Sequence, residues 1–156
     1  GHGAGNTNSV AVLVPGDISI NNIDNALRKN EDVINRLGRN TSGKVLGFID
    51  ACYASESYTQ GDRGLGIKKQ GNLSENIVVF SAVTNSQKAF PNNPQAHGAF
   101  TYELLSLMKD TQGNILLGDL EAKLKERVFN NTKRKQFPSV ISGSNTNYKK
   151  WKLLRD

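Results

Sequence analysis

The sequence predicts an α/β fold built on a layered, largely parallel sheet. Its 156 residues fit a single domain, and a hydrophobic share of 37% is enough for a core. Two almost continuous apolar runs, at residues 44–51 and 77–82, have the length of strands and suit strands that are buried on both faces of a parallel sheet. Other segments have helical periodicity, and the resulting alternation of strands and helices is typical of a layered sheet.

The first elements are predicted to be a strand and a long helix. Residues 10–14 form a short β-branched run, which Pro15 and Gly16 end with a turn. Residues 22–37 are predicted to be helical, and Gly38 is a natural stop after them. The apolar residues that support this helix recur mostly at three- and four-residue steps: Ile20, Ile23, Leu27, Ile34 and Leu37.

The apolar run at residues 44–51 is predicted to be a central strand with Asp50 and Cys52 at its carboxyl end. Open α/β sheets place their functional sites at that edge, so these two side chains mark a candidate site. The following residues, 53–75, are polar and rich in glycine, and they are predicted to form a long exposed loop. Loops of this length are usually functional or disordered.

A second buried strand is predicted at residues 77–82, followed by a polar loop at 85–95 and a helix at 97–109. The side chains predicted to face the core from this helix are Phe100, Leu104, Leu105 and Met108.

A third helix is predicted to run from Asp119, as its cap, to about residue 129. Its predicted buried side chains are Leu120, Leu124 and Val128. Glu121 and Lys125 have the spacing of a favourable i,i+4 ion pair. A last short strand is predicted at residues 139–142.

The net charge of +6 is concentrated towards the C-terminus. Two clusters carry it: Lys133, Arg134 and Lys135, then Lys149, Lys150, Lys152 and Arg155. We interpret them as solvated surface, and we predict a basic tail at residues 146–156 after a domain that spans residues 1–145. A basic chain can also bind nucleic acid, but no aromatic residues interleave with the cations as in RNA-binding motifs, so nucleic acid is not a predicted partner.

Cys52 is the one cysteine of the chain, so no disulfide forms within it. This favours a reducing compartment and predicts a cytoplasmic protein. A lone cysteine in an intracellular enzyme that also contains histidine is a candidate nucleophile. The longest apolar stretches are far shorter than the ~20 residues that span a bilayer, so no membrane partner is predicted.

Two short stretches hold residues that can carry chemistry. Gly-His-Gly-Ala-Gly opens the sequence, and Gly-Phe-Ile-Asp-Ala-Cys-Tyr-Ala-Ser surrounds Cys52. A thiol attacks as the thiolate and needs a base nearby, and His2 would supply one if the two residues ended neighbouring strands. The glycines beside His2 allow a substrate to approach closely and leave backbone N–H groups for an oxyanion hole.

In this order the motifs resemble those of caspase-like cysteine peptidases, and metacaspases and their bacterial relatives more than animal caspases. His2 lies about 50 residues before Cys52, which is close to the caspase offset. Further similar stretches are Val-Leu-Val-Pro-Gly-Asp at 12–17, Phe-Ser-Ala at 80–82, Gln-Lys-Ala at 87–89 and His-Gly-Ala-Phe-Thr at 97–101. The animal signature Gln-Ala-Cys-x-Gly is not met, because Asp50 and Ala54 replace its Gln and Gly.

The resemblance covers most of residues 1–142 and implies a three-layer sandwich with a mostly parallel central sheet and helices on both faces. It also implies a cysteine endopeptidase that cleaves polypeptides through a thioester intermediate. Cys52 would be the nucleophile, and His2 would be the general base and then the acid for the leaving amine. The N–H groups of Gly3 and Cys52 would form the oxyanion hole.

For substrate specificity, the resemblance implies an S1 pocket lined by Asp50, with Ser81 on its wall. An aspartate at this position suits a cationic P1 side chain, so cleavage after Arg or Lys is expected. Such a preference makes the long loop a candidate for self-cleavage, although an ordinary solvated loop fits the sequence equally well. The candidate cleavage sites are Arg63, Lys68 and Lys69.

No cofactor or metal is predicted. Some metacaspases bind calcium, and acidic residues are available at Asp17, Glu56 and Asp62. Their spacing matches no standard calcium loop, so a calcium site is not assigned.

The position of His2 departs from the family pattern, in which strands precede the catalytic histidine. A histidine at a frayed terminus is not held in catalytic geometry. We therefore expect the first strands to come from the remaining N-terminal part of the same protein, which we prefer, or from a separate chain.

Other interpretations of the same residues stay open. His2 could be a remnant of an expression tag, and, separately, His97 competes with it for the role of base. Cys52 could be an inert core cysteine, and Asp50 could only cap a strand end or hold a loop. A different alternative for the whole chain is a catalytically inactive caspase-like interaction module.

Overall fold

The structure is a computed structural model that describes residues 2–5, 11–52, 73–84, 87–92 and 97–154. Over these residues the chain is a mixed α/β arrangement, as predicted, with two three-stranded sheets, a two-stranded ribbon and three α-helices. None of the helices within the described ranges is long and apolar enough to cross a membrane.

The first sheet is antiparallel and carries the N-terminal motif. It consists of β1 (His2–Gly5), β2 (Ala11–Val14) and β3 (Leu27–Arg28), with β2 in the middle. The strand predicted at residues 10–14 is therefore confirmed as β2. Its register places His2 opposite Val14, so the histidine belongs to a paired strand.

The helix predicted at residues 22–37 was wrong, because this segment is divided into several pieces. A 3₁₀ turn at Ile20–Asn25 leads into β3, and a π-helical turn at Lys29–Ile34 leads into α1 (Asn35–Arg39). Asn22 has non-helical angles of φ −118° and ψ 24° inside the first turn. Asparagine is a poor helix former, and pairing of β3 with β2 then overrides the apolar periodicity.

Gly38 does not stop a helix, since α1 continues to Arg39. A Cβ at Gly38 would instead overlap the end of the Ile77 side chain. The glycine therefore lets α1 pack closely against the second sheet.

The second sheet is mixed and forms the centre of the structure. Its middle strand, β5 (Ile77–Ser81), pairs in parallel with β4 (Val45–Ile49) and antiparallel with β8 (Ser139–Ser142). The three strands predicted in these regions are confirmed. Burial on both faces is confirmed for β5 but was wrong for β4, whose residues are all half-buried. The physical reason is that β4, within the described residues, pairs with β5 alone.

A short ribbon introduces the second helix. β6 (Pro91–Asn92) and β7 (His97–Gly98) pair antiparallel, and α2 (Ala99–Thr111) follows at once. The residues that α2 buries include Phe100, Leu104 and Leu107. Leu105, which was predicted to be buried, is 49% exposed, and Leu107 takes its place in the core.

The third helix, α3 (Leu117–Asn131), buries the predicted stripe together with Leu117. Asp119 is not its cap, because the helix begins at Leu117 and the aspartate lies in its first turn. The predicted ion pair is confirmed, with 2.6 Å between Lys125 Nζ and Glu121 Oε1.

The main core lies between β5 and the helices α2 and α3. Residues 146–154, which belong to the predicted basic tail, also contact this part of the molecule. The Tyr148 hydroxyl donates to Glu121 on α3 at 2.6 Å. Two backbone bonds continue the contact, from Leu117 to the Trp151 carbonyl at 2.8 Å and from Leu153 to the Ile115 carbonyl at 2.9 Å.

Candidate active site

The thiol of Cys52 lies just beyond the carboxyl end of β4. Its side chain is partly exposed, whereas Ala51 before it is buried, with 3% of its surface exposed. The end of β4 is anchored by a hydrogen bond from the Ala82 N–H to the carbonyl of Ile49, its last residue, at 2.8 Å. A partly exposed thiol on an anchored segment is accessible to a substrate, which a deeply buried structural cysteine is not.

The strand that carries His2 lies against this segment. A Cβ at Gly3 would overlap the Cys52 carbonyl oxygen, and it would lie 3.1 Å from the Cys52 carbonyl carbon and 3.4 Å from the Ala51 Cβ. Only a residue without a side chain fits here. His2, which is exposed, is the neighbour of Gly3 in β1. The structure therefore brings together the two short motifs that the sequence analysis singled out.

The carboxylate of Asp50 lies at the start of α2. Its Oδ2 accepts a hydrogen bond from the Thr101 hydroxyl at 2.6 Å and another from the Thr101 backbone N–H at 3.2 Å. Thr101 is in the first turn of α2, where backbone N–H groups have no partner within the helix. The aspartate therefore caps a helix that lies 51 positions further along the chain.

Gly98 makes this contact possible. A Cβ at Gly98 would overlap the Asp50 carboxylate, with 2.8 Å to its Cγ. Gly98 and Thr101 belong to the stretch that carried the family resemblance, but their contact with Asp50 was not predicted. The sequence did show a threonine near the start of a predicted helix and a carboxylate at a strand end, but nothing in it indicated that the two meet.

Ser81, the other predicted S1 residue, is the last residue of β5. It lies opposite Ile49 of β4 and Ser139 of β8, and only 1% of its surface is exposed. Its partner Ile49 is the residue before Asp50, so Ser81 and Asp50 lie at the same edge of the sheet.

The second histidine, His97, lies in β7 opposite Asn92. Its sequence neighbour Gly98 contacts the Asp50 carboxylate. Both histidines are therefore adjacent in sequence to a glycine at this site.

Several predicted residues lie outside the described part of the chain. These are the candidate cleavage sites Arg63, Lys68 and Lys69 and the acidic residues Glu56 and Asp62. Asp17 is exposed in the turn after β2. Among the residues that the structure describes, no group of three or more His, Cys, Asp or Glu side chains is arranged to hold a metal ion.

Comparison with known proteins identifies the family of the chain. The family model of the caspase domain, a cysteine peptidase family, matches residues 1–149. No curated protein sequence matches the chain significantly. The family match covers nearly the whole chain, including β1 with His2, the segment after β4 with Cys52, and α2 and α3. The chain therefore belongs to the caspase-domain family of cysteine peptidases.

Proposed function

We propose that this chain carries the catalytic machinery of a cysteine endopeptidase, with Cys52 as nucleophile and His2 as general base. The observation that carries the proposal is the contact of Gly3 with the backbone of Cys52, since it brings the neighbour of the histidine against the cysteine. Caspase-domain membership supports the same chemistry.

In the proposed reaction, His2 takes the thiol proton and the Cys52 thiolate attacks the carbonyl carbon of the scissile bond. The N–H groups of Gly3 and Cys52 stabilise the negative charge that develops on the carbonyl oxygen. Protonated His2 then gives its proton to the leaving amine, and water hydrolyses the remaining thioester. No metal or cofactor takes part in this scheme.

We assign cleavage after Arg or Lys to the carboxylate of Asp50, with Ser81 on the wall of the S1 pocket. The two bonds from Thr101 hold this carboxylate at the start of α2, so its negative charge has a fixed position at the sheet edge that carries Cys52. This supports recognition of a cationic P1 side chain, because a preorganised anion loses little freedom on binding.

The proposal extends to the rest of the fold. β4 is half-buried and, within the described residues, pairs on one side. We expect its other side to be completed by strands from the N-terminal part of the same protein or from a separate chain. The added strands would complete the three-layer sandwich with a mostly parallel sheet. Separately, we expect the protein to be located in the cytoplasm.

The first test measures cleavage of fluorogenic peptides with Arg, Lys or Asp at P1 by the native protein. We expect cleavage after Arg and Lys, and a loss on the order of 10⁴-fold or more in Cys52→Ala. His2→Ala is compared with His97→Ala, and only the former should lose activity. If the native protein cleaves none of the peptides, even with calcium added and the loop nicked, the inactive interaction module is the correct alternative.

Asp50→Asn separates specificity from folding. The amide oxygen still accepts the Thr101 hydrogen bonds, so the helix cap is retained while the charge is lost. We expect the preference for Arg and Lys to fall with the fold intact. If the native protein cleaves only after Asp, the proposal of a peptidase is retained, but the assignment of Asp50 as the S1 anion is rejected.

Self-cleavage at Arg63, Lys68 or Lys69 is part of the same proposal. Intact mass measured over time should reveal fragments in the native protein and a single species in Cys52→Ala. Fragments in both proteins would indicate a contaminating peptidase instead.

A further inference from the structure

An open pocket of about 520 Å³ lies where α3 meets the segments that follow β5 and precede β8. The residues that line it are Thr84, Lys125, Glu126, Phe129, Phe137 and Pro138. We call it the Phe137 pocket. Because β5 runs parallel to β4, the pocket opens near the same edge of the sheet as Cys52. The peptidase chemistry proposed above uses none of its lining residues.

The apolar wall of the pocket consists of two aromatic rings. The rings of Phe129 and Phe137 are 4.9 Å apart and tilted by 49°. Phe137 is 44% exposed although it is a large apolar residue. An exposed aromatic side chain beside a pocket is typical of an interaction site, because binding removes its surface from water.

Buried hydrogen bonds hold this wall in place. Gln136 is fully buried, and its side chain donates to the Ala82 carbonyl at 2.9 Å and accepts from the Phe90 N–H at 2.8 Å. The position of Phe137 next to it is therefore fixed to two other segments of the core. A wall that is already ordered loses little conformational entropy when a ligand binds.

Positive charge is concentrated in the segment that joins the two aromatic residues of the pocket. Residues 129–138 contain Lys133, Arg134 and Lys135 but no acidic residue. The Arg134 guanidinium lies 5.9 Å from the centre of the Phe129 ring, and the Arg134 N–H donates to the Phe129 carbonyl at 2.7 Å. The two charged residues that line the pocket itself, Lys125 and Glu126, have opposite charges, and Lys125 is also paired with Glu121 at 2.6 Å. The net positive charge at this site therefore comes from residues 133–135.

We propose that the Phe137 pocket binds an acidic peptide segment of a partner protein, with one aromatic or large aliphatic side chain inserted against Phe129 and Phe137. The acidic residues of that segment lie against the cations at residues 133–135. A protein held in this way is presented to the sheet edge that carries Cys52. Nucleic acid is the less suitable ligand, because the cations lie in one short segment next to aromatic side chains instead of following a groove.

The test uses the native protein with Cys52→Ala, so that the probe is not cleaved and binding is measured independently of peptidase activity. A display library of random short peptides is selected on this protein. We expect enriched peptides that combine Phe, Trp or Leu with Asp or Glu. The binding of the best of them, labelled with fluorescein, should weaken about tenfold in Phe137→Ser and about threefold in Arg134→Glu.

Lys123→Glu is the matched control for Arg134→Glu, because it makes the same charge change on an exposed face of α3 outside the pocket. It should leave the affinity unchanged. Thermal unfolding verifies that Phe137→Ser folds, and Arg134→Glu alters only an exposed side chain. No enriched peptide, enriched peptides without acidic residues, or affinities unaffected by both pocket variants would overturn the proposal. Equally tight, Phe137-dependent binding of a labelled single-stranded RNA would overturn it in favour of nucleic acid.

Discussion

β4 and β5 are parallel neighbours with similar apolar sequences, yet they have different surroundings. Phe48 of β4 and Phe80 of β5 face each other in the ladder, and their rings stack with centroids 5.2 Å apart. Every residue of β5 is buried, whereas every residue of β4 is half-buried. This difference shows that the burial of an apolar strand depends more on its position among the other strands and helices than on its amino-acid composition.

The two strands also have different neighbours at their carboxyl ends and on their faces. β5 lies between β4 and β8 and packs against α2 and α3, so its side chains form the centre of the core. β4 ends in the segment of Asp50 and Cys52, which contacts β1 and the start of α2. We therefore expect substitutions in β5 to reduce stability, and substitutions around the end of β4 to reduce activity.

The strongest test of this comparison replaces the two stacked rings in turn. Phe80 is only 1% exposed, so Phe80→Ala should reduce the free energy of unfolding by about 3–5 kcal/mol. Phe48→Ala should reduce it by about half as much, since its side chain is already partly in water. Chemical denaturation measures both values. Equal losses would mean that β4 is as deeply buried in the folded protein as β5.

The next test concerns the contact between β1 and the end of β4. Gly3→Ala places a methyl group on the Cys52 carbonyl, and we expect cleavage to fall about 100-fold, because a displacement of about 1 Å at a reacting group has effects of this size. The rate of Cys52 labelling by iodoacetamide should change as well, which provides a readout even without a known substrate.

Gly5→Ala is the control for Gly3→Ala, because it adds the same methyl group in the same strand at a position where no atom of the residues that the structure describes would lie within 4 Å of it. Its activity and labelling rate should remain close to those of the unmodified protein. If both variants behave alike, the contact of Gly3 with Cys52 has no part in positioning the site.

A smaller effect is expected where Asp50 joins β4 to α2. Thr101→Val keeps the shape of the side chain but removes the hydroxyl that donates to the carboxylate at 2.6 Å. The free energy of unfolding should fall by about 1.5–3 kcal/mol, the range for hydrogen bonds to charged groups. Thr101→Ser retains the hydroxyl and should lose much less. Equal losses in the two variants would show that the methyl group matters more than the bond.

The elements that the sequence predicted well share one property: their apolar pattern agrees with their tertiary environment. This holds for β5, for α3 with Leu120, Leu124 and Val128, and for the ion pair of Glu121 with Lys125. The prediction of a helix at residues 22–37 was wrong because β3 pairs with β2. This pairing depends on residues outside the segment, and the apolar periodicity within the segment does not reveal it. Half-burial of β4 could not be predicted for the same reason.

The candidate site was also predicted only in part. The motifs around His2 and Cys52 were identified from residue types and order, and the family match covers both. The cap that Asp50 forms on α2 depends on a contact across 51 positions, and the sequence contains no local sign of which helix a strand-end carboxylate will meet. The same applies to the role of Gly98, which is visible only once the carboxylate is in place.

The smallest effect is expected far from the site, where residues 146–154 contact α3. Burial of Glu121 favours its neutral form, but hydrogen bonds from Lys125 and Tyr148 outweigh this and lower the pKa of its carboxyl below the ordinary 4.5. A lowered pKa stabilises the folded protein above the ordinary value, and this stability is lost as the pH falls through the lowered pKa. Tyr148→Phe removes one donor and should reduce stability by about 1 kcal/mol at neutral pH.

The pH dependence distinguishes this bond from simple packing. The stability difference between Tyr148→Phe and the unmodified protein should shrink as the pH falls below about 4.5, because protonated Glu121 accepts a weaker bond. Tyr102→Phe on α2 is the matched control, since the described residues contain no hydrogen bond to the Tyr102 hydroxyl, and its effect should be small at every pH. A difference for Tyr148→Phe that is constant from neutral to acid pH would mean that the hydroxyl acts through packing alone. Peptidase activity should be unchanged in either case, because the nearby Trp151 lies against Lys44, which precedes β4, whereas Cys52 follows the other end of that strand.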